Sequence, residues 1–128
     1  MTHARILIVE DESILALDLE EILENLGYAV LGIATNAASA IELVCQSQPD
    51  LILMDVGIPG DMDGLEAANE IWNRFKLPVV FLTASVDEKT LKRIKMSSAY
   101  GCVSKPFRLE ELSIALQAAL TRFQSEQT

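Results

Sequence analysis

Leu51-Ile52-Leu53-Met54-Asp55 is a run of four apolar side chains closed by a carboxylate. A strand with one face in water alternates polar with apolar residues, whereas an unbroken apolar run suits a strand covered on both faces, as in a parallel sheet. Pro49 and Asp50 introduce it. Working outward, the same form recurs on either side. Ile6-Leu7-Ile8-Val9 runs into Glu10 and Asp11, and Val79-Val80-Phe81-Leu82 follows Pro78 and runs into Thr83 and Ala84. Residues 29–33 and the weaker Gly101-Cys102-Val103, followed by Lys105 and Pro106, complete the set.

The intervening segments carry the helical period instead. Leu15, Leu19, Ile22, Leu23 and Leu26 form a stripe opposite Asp18, Glu20, Glu21 and Glu24, with Gly27 placed to end the helix. Leu65, Ala68, Trp72 and Phe75 repeat the pattern, as do Leu91 with Ile94, and Leu109, Leu112, Leu116, Ala119 and Phe123. Asn36 and Asp87 are placed as N-caps of the second and fourth helices. The result is a (βα)5 alternation, hence an α/β, doubly wound, five-stranded parallel sheet. Residues 1–123 read as one domain and 124–128 as a polar tail or the start of a linker.

Charge narrows the function. The chain has 128 residues, with 10 Lys+Arg against 19 Asp+Glu and a net charge of −9, which disfavours direct binding to nucleic acid or to anionic membranes. The first residues contain neither a signal-peptide apolar segment nor a membrane span, so a cytoplasmic location is expected. Cys45 and Cys102 are far apart, and the single histidine, His3, lies in the terminal tail, so neither a zinc site nor a histidine base is supported.

In a doubly wound sheet the ligand crevice lies outside the carboxyl ends of the strands. Glu10, Asp11, Asp55, Thr83 and Lys105 all follow strands directly, so three carboxylates, one hydroxyl and one ammonium are expected at one edge. Carboxylates so crowded repel one another unless a cation neutralises them. Mg2+ fits, because it needs only one or two protein carboxylates beside water and phosphate oxygens. Asp11 and Asp55 are the expected direct ligands, with Glu10 acting through water. A strand-end Asp also accepts phosphoryl groups as an acyl phosphate. Asp55 is therefore the expected phosphoacceptor and Lys105 the phosphate partner.

These residues resemble the receiver domain of two-component response regulators. The likeness rests on Glu10-Asp11, Asp55 after its apolar run, Pro59, Asp63-Gly64, Thr83-Ala84 and Lys105-Pro106-Phe107, and extends from about residue 5 to residue 123. It implies a flavodoxin-like strand order of 2-1-3-4-5 and phosphoryl transfer to Asp55 from a sensor histidine kinase, a histidine phosphotransfer protein or a small phosphodonor. It implies Mg2+, with Mn2+ or Ca2+ as substitutes, held by Glu10, Asp11, Asp55 and the backbone carbonyl of Gly57. It further implies that Thr83 and Ala84 bind the phosphoryl oxygens, that Lys105 and the Cys102 position take part in switching, and that the bond before Pro106 is cis. The fourth helix, fifth strand and fifth helix form the implied output surface for an effector or a homodimer. The domain is then a switch that catalyses only its own phosphorylation and dephosphorylation.

Three positions depart from the family's pattern. The stretch from Asp55 to Asp63 is one residue longer than the commonest spacing, with the extra residue placed among Gly60, Asp61 and Met62. Cys102 stands where the family usually has a Tyr or Phe that moves with the switch hydroxyl, and Tyr100 lies outside the short strand. Gly57 and Ser85 lack the side chains that orient a hydrolytic water in some receivers.

Two rivals remain in view. A phosphohydrolase of the haloacid-dehalogenase kind also uses Mg2+ and a strand-end Asp, but requires an acid two residues later, where this chain has Gly57. A receiver-like binding module that is never phosphorylated would not need the full set of acids, threonine and lysine. Elsewhere the ordinary readings apply. Met54, Trp72 and Phe75 read as core, and Cys45 and Cys102 as packed small hydrophobes. Asp61 to Gly64 reads as a turn rather than a calcium loop. Lys89, Lys92, Arg93 and Lys95 make a basic face on the fourth helix.

Overall fold

The computed structural model describes residues 4–84 and 87–127; the tail histidine His3 and Ser85 lie outside them. The elements alternate strictly: β1 Arg5–Val9, α1 Ser13–Asn25, β2 Ala29–Ala34, α2 Ala37–Ser47, β3 Leu51–Asp55, α3 Gly64–Phe75, β4 Val79–Thr83, α4 Glu88–Met96, β5 Gly101–Ser104 and α5 Leu109–Glu126. All five strands are parallel, in the order β2-β1-β3-β4-β5.

The unbroken apolar runs are explained by two cores, one on each side of the sheet. Leu7, Val9, Ile52, Met54, Val79 and Phe81 pack with Ala40 and Val44 of α2, Leu65, Ala68 and Ile71 of α3, and Ile94 of α4. Their strand neighbours Ile6, Ile8, Leu51, Leu53, Val80 and Leu82 pack with Leu19 and Leu23 of α1 and Leu112, Leu116 and Ala119 of α5. Successive strand residues thus point into opposite cores. At roughly 1.5–3 kcal/mol for each fully buried large apolar side chain, these two layers dominate the stability.

Caps and turns set the element ends. Asn36 accepts from Ser39 N at 2.9 Å and Asp87 from Thr90 N at 2.7 Å. Asp63 closes a capping box with Glu66, accepting from its backbone N–H at 2.9 Å and donating its own to the Glu66 carboxylate at 3.1 Å. Gly27 ends α1 at φ +97° and Gly60 turns the β3–α3 connection at φ +110°, both in the left-handed region that glycine tolerates. The longer connection is thus turned at Gly60.

Several side chains differ from the sequence reading. Cys45 and Cys102 are exposed, not packed. Cys102 is in register with Phe81, but β5 is an edge strand and the short α4, with only Ile94 buried, leaves it open. Leu109 and Leu91 stand 50% and 40% exposed, because each lies at the first turns of its helix, beyond the edge of the core. Trp72 and Phe75 are half-buried at the rims of the two cores. β2, the other edge strand, is only partly buried until Ala34. Helix α5 continues past Phe123 to Glu126, so the beginning of the polar tail is helical.

Candidate phosphoacceptor site

The register aligns the strand ends. Val9 pairs with Met54, Asp55 with Leu82, and Thr83 with Ser104. The ladder bonds run on past these ends, from Val56 N to Leu82 O at 3.0 Å and from Lys105 N to Thr83 O at 2.8 Å. Glu10, Asp55, Thr83 and Lys105 therefore meet at one edge. Asp11, Asp55, Gly57, Thr83, Ala84 and Lys105 line a single cleft there.

Lys105 ties the acids together. Its Nζ lies 3.1 Å from Glu10 Oε1, 3.3 Å from Asp55 Oδ2 and 3.8 Å from Glu12 Oε1. Burial disfavours the ammonium, but its hydrogen bond to Glu10 and the charges of Asp55 and Glu10 outweigh that, and the lysine titrates above its ordinary value. The peptide bond between Lys105 and Pro106 is cis. Asp55 Oδ1 accepts the Gly57 backbone N–H at 3.1 Å, and Thr83 is buried.

Glu10 is fully buried, and its Oε2 has no hydrogen-bond partner. Burial first, and then the neighbouring Asp55 carboxyl, push it up to about 8 against the pull of Lys105. One carboxylate oxygen each from Glu10, Asp11 and Asp55 lie within 4.8 Å of one another. An orphaned buried oxygen within a cluster of hard oxygen donors fits Mg2+ chemistry.

The sequence profile of the family described as the response regulator receiver domain matches residues 6–117. The chain belongs to this receiver family. Its members act as phosphorylation-dependent signalling switches. The receiver is 38% identical over 119 residues to the transcriptional regulatory protein PdtaR of Mycobacterium tuberculosis, covering 93% of this chain and 58% of PdtaR. It is 36% identical to the phyllosphere-induced regulator PhyR of Methylorubrum extorquens, covering 90% and 43%. The chain thus spans about half the length of the curated relatives it matches. The crystal structure of the signal receiver domain of a modulated diguanylate cyclase from Desulfovibrio desulfuricans superposes with a TM-score of 0.91 at 33% identity, covering 98% of this chain and 99% of that one.

The cleft of this receiver also holds residues that the sequence did not assign to it. Glu12, Asp63, Thr90 and Arg93 line it. Glu12 was available as the third acid of its run. Arg93 was readable only as part of a basic helix face, because its partner Asp63 is 30 residues away. Tyr100 lies elsewhere: it precedes β5, at the amino edge of the sheet, between Trp72 and Phe123. Among the described residues, no helix is long and apolar enough to cross a membrane.

Proposed function

We propose that this receiver is switched by phosphorylation of Asp55. The observation that carries the reading is the convergence of Glu10, Asp11 and Asp55 within 4.8 Å, with Lys105 Nζ 3.3 Å from Asp55. In this reading a carboxylate oxygen of Asp55 forms the new P–O bond as the P–N bond of a phosphohistidine breaks, and the imidazole leaves. The donor is a sensor histidine kinase or a histidine phosphotransfer protein, or a small phosphodonor in place of either. Asp11, Asp55, Glu10 and the Gly57 carbonyl would hold Mg2+, which supplies neutralisation of the charge on the transferring phosphoryl oxygens. Lys105 turns from the carboxylates to the phosphoryl group, and the Thr83 hydroxyl and Ala84 amide meet its remaining oxygens.

The added charge and acceptor oxygens then shift the population between two states of the Thr83 loop and the α4–β5–α5 surface. With Cys102 exposed and no ring in its place, displacement of the loop and α4 carries the signal rather than an aromatic gate. The half-length match supports assigning the output to a longer protein or to a partner at that surface. PdtaR is a transcriptional regulatory protein and PhyR a phyllosphere-induced regulator, so receivers of this kind serve different outputs.

The test is incubation with Mg2+ and acetyl phosphate or beryllofluoride. Wild type is expected to gain a phosphoryl group from acetyl phosphate, with acetate leaving, and to show amide shifts across residues 84–96 with either reagent, and Asp55→Asn to do neither. If both proteins respond alike, or neither responds, the domain is a binding module and the reading fails.

A further inference from the structure

A second cation lines the cleft and is engaged elsewhere. Arg93 of α4 donates from Nη1 to Asp63 Oδ2 at 2.8 Å and from Nη2 to Asp63 Oδ1 at 3.3 Å, tying α4 to the N-cap of α3. Both residues line the cleft with Asp55, Thr83 and Lys105. Lys105 and Arg93 are the cationic side chains of that lining, and Lys105 already serves Glu10, Asp55 and Glu12.

A phosphoryl group on Asp55 would place more negative charge and several strong acceptors on the cleft floor. A guanidinium matches phosphate oxygens with two parallel hydrogen bonds, as it now matches the Asp63 carboxylate. The existing pair is readily given up, since the Arg93 and Asp63 side chains are 43% and 33% exposed. Asp63 is not stranded by the loss, because it keeps the Glu66 backbone N–H at 2.9 Å. Helix α4 has a single buried residue, Ile94, so the pair is one of few ties holding it.

Building on the phosphoacceptor reading of Asp55, we propose that Arg93 is a phosphoryl-binding residue of this receiver. It is held on Asp63 in the unmodified domain and passes to the phosphoryl oxygens when Asp55 is modified. The exchange unties α4 from the start of α3, which links chemistry at the cleft floor to movement of the output helix.

Beryllofluoride with Mg2+ is titrated into wild type, Arg93→Gln, Asp63→Asn and Asp55→Asn, followed by amide shifts and by the Arg93 Nε–H resonance. In wild type that resonance moves on saturation. Arg93→Gln weakens the apparent affinity by about fivefold or more. Asp63→Asn, which keeps a competent N-cap while removing the competing charge, strengthens it. A purely structural pair would make both variants err in the same direction. Equal weakening in the two, an undiminished affinity in Arg93→Gln, or a stationary Arg93 resonance in saturated wild type overturns the proposal. Binding that survives in Asp55→Asn overturns the phosphoacceptor reading instead.

Discussion

A Cβ placed on Gly64 would fall 2.2 Å from the backbone carbonyl oxygen of Asp55. The start of α3 is thus pressed against the end of β3, and Gly64 N donates to Val56 O at 2.9 Å across the contact. Glycine is needed here for closeness rather than for a left-handed φ.

Gly64→Ala has no flexible side chain to push aside, because the atoms it meets are backbone. The expected loss is about 2 kcal/mol, from the range typical of overpacked sites. Urea unfolding measures it, and phosphorylation of Asp55 should slow as its backbone is displaced. A midpoint equal to that of wild type would show that the contact relaxes freely.

Crowding of Glu10, Asp11 and Asp55 predicts a metal response. Mg2+ at about a hundred times its Kd should stabilise the fold by about 2.7 kcal/mol, seen as a higher Tm. Asp11→Asn should lose most of that gain. Without metal the same variant should be no less stable than wild type, since it relieves repulsion between carboxylates.

The Asp63 carboxyl titrates below its ordinary value of 3.8: burial alone would raise it, but the Arg93 hydrogen bond, backbone N–H groups and the Arg93 charge outweigh that. A depressed native value means stability that is present above the unfolded value and lost as pH falls through the native one. Wild type should therefore exceed Arg93→Gln by under about 1 kcal/mol near pH 6, for a pair so exposed. The difference should shrink below pH 4. Urea unfolding across that range checks it, and a constant gap would contradict it.

Tyr100 is a structural anchor. Its ring sits 5.8 Å from that of Trp72 and 5.7 Å from that of Phe123, its hydroxyl donates to Glu126, and the Arg122 guanidinium lies 4.4 Å above it. Tyr100→Ala should destabilise by about 3 kcal/mol, as large aromatic truncations do. Tyr100→Phe should leave the beryllofluoride shift of the Ala84 amide as in wild type. A changed shift in that variant would make Tyr100 a substitute for the ring missing at Cys102.

The sheet was legible because strand and helix periods are local, and four of the five apolar runs ended directly in a polar residue. Asp55, Thr83 and Lys105 could be grouped from that alone, since parallel strands deliver their carboxyl ends to one edge. The exposure of Cys102 was not legible. An edge strand resembles a central one in sequence, and whether its outer face is covered depends on the length and seating of α4.

The sequence by itself determined the alternation, the parallel sheet and the residue types at its carboxyl edge, because each follows from periodicity and from chain order along a strand. Tertiary structure alone decided that Glu10 would be buried with an unpartnered oxygen, that α3 would approach Asp55 closely enough to require Gly64, and that Arg93 would meet Asp63 across the cleft. Those relationships join residues beyond the reach of a helical or strand period, Asp63 and Arg93 being 30 positions apart, and their geometry depends on how helices seat against the sheet, which no local pattern encodes.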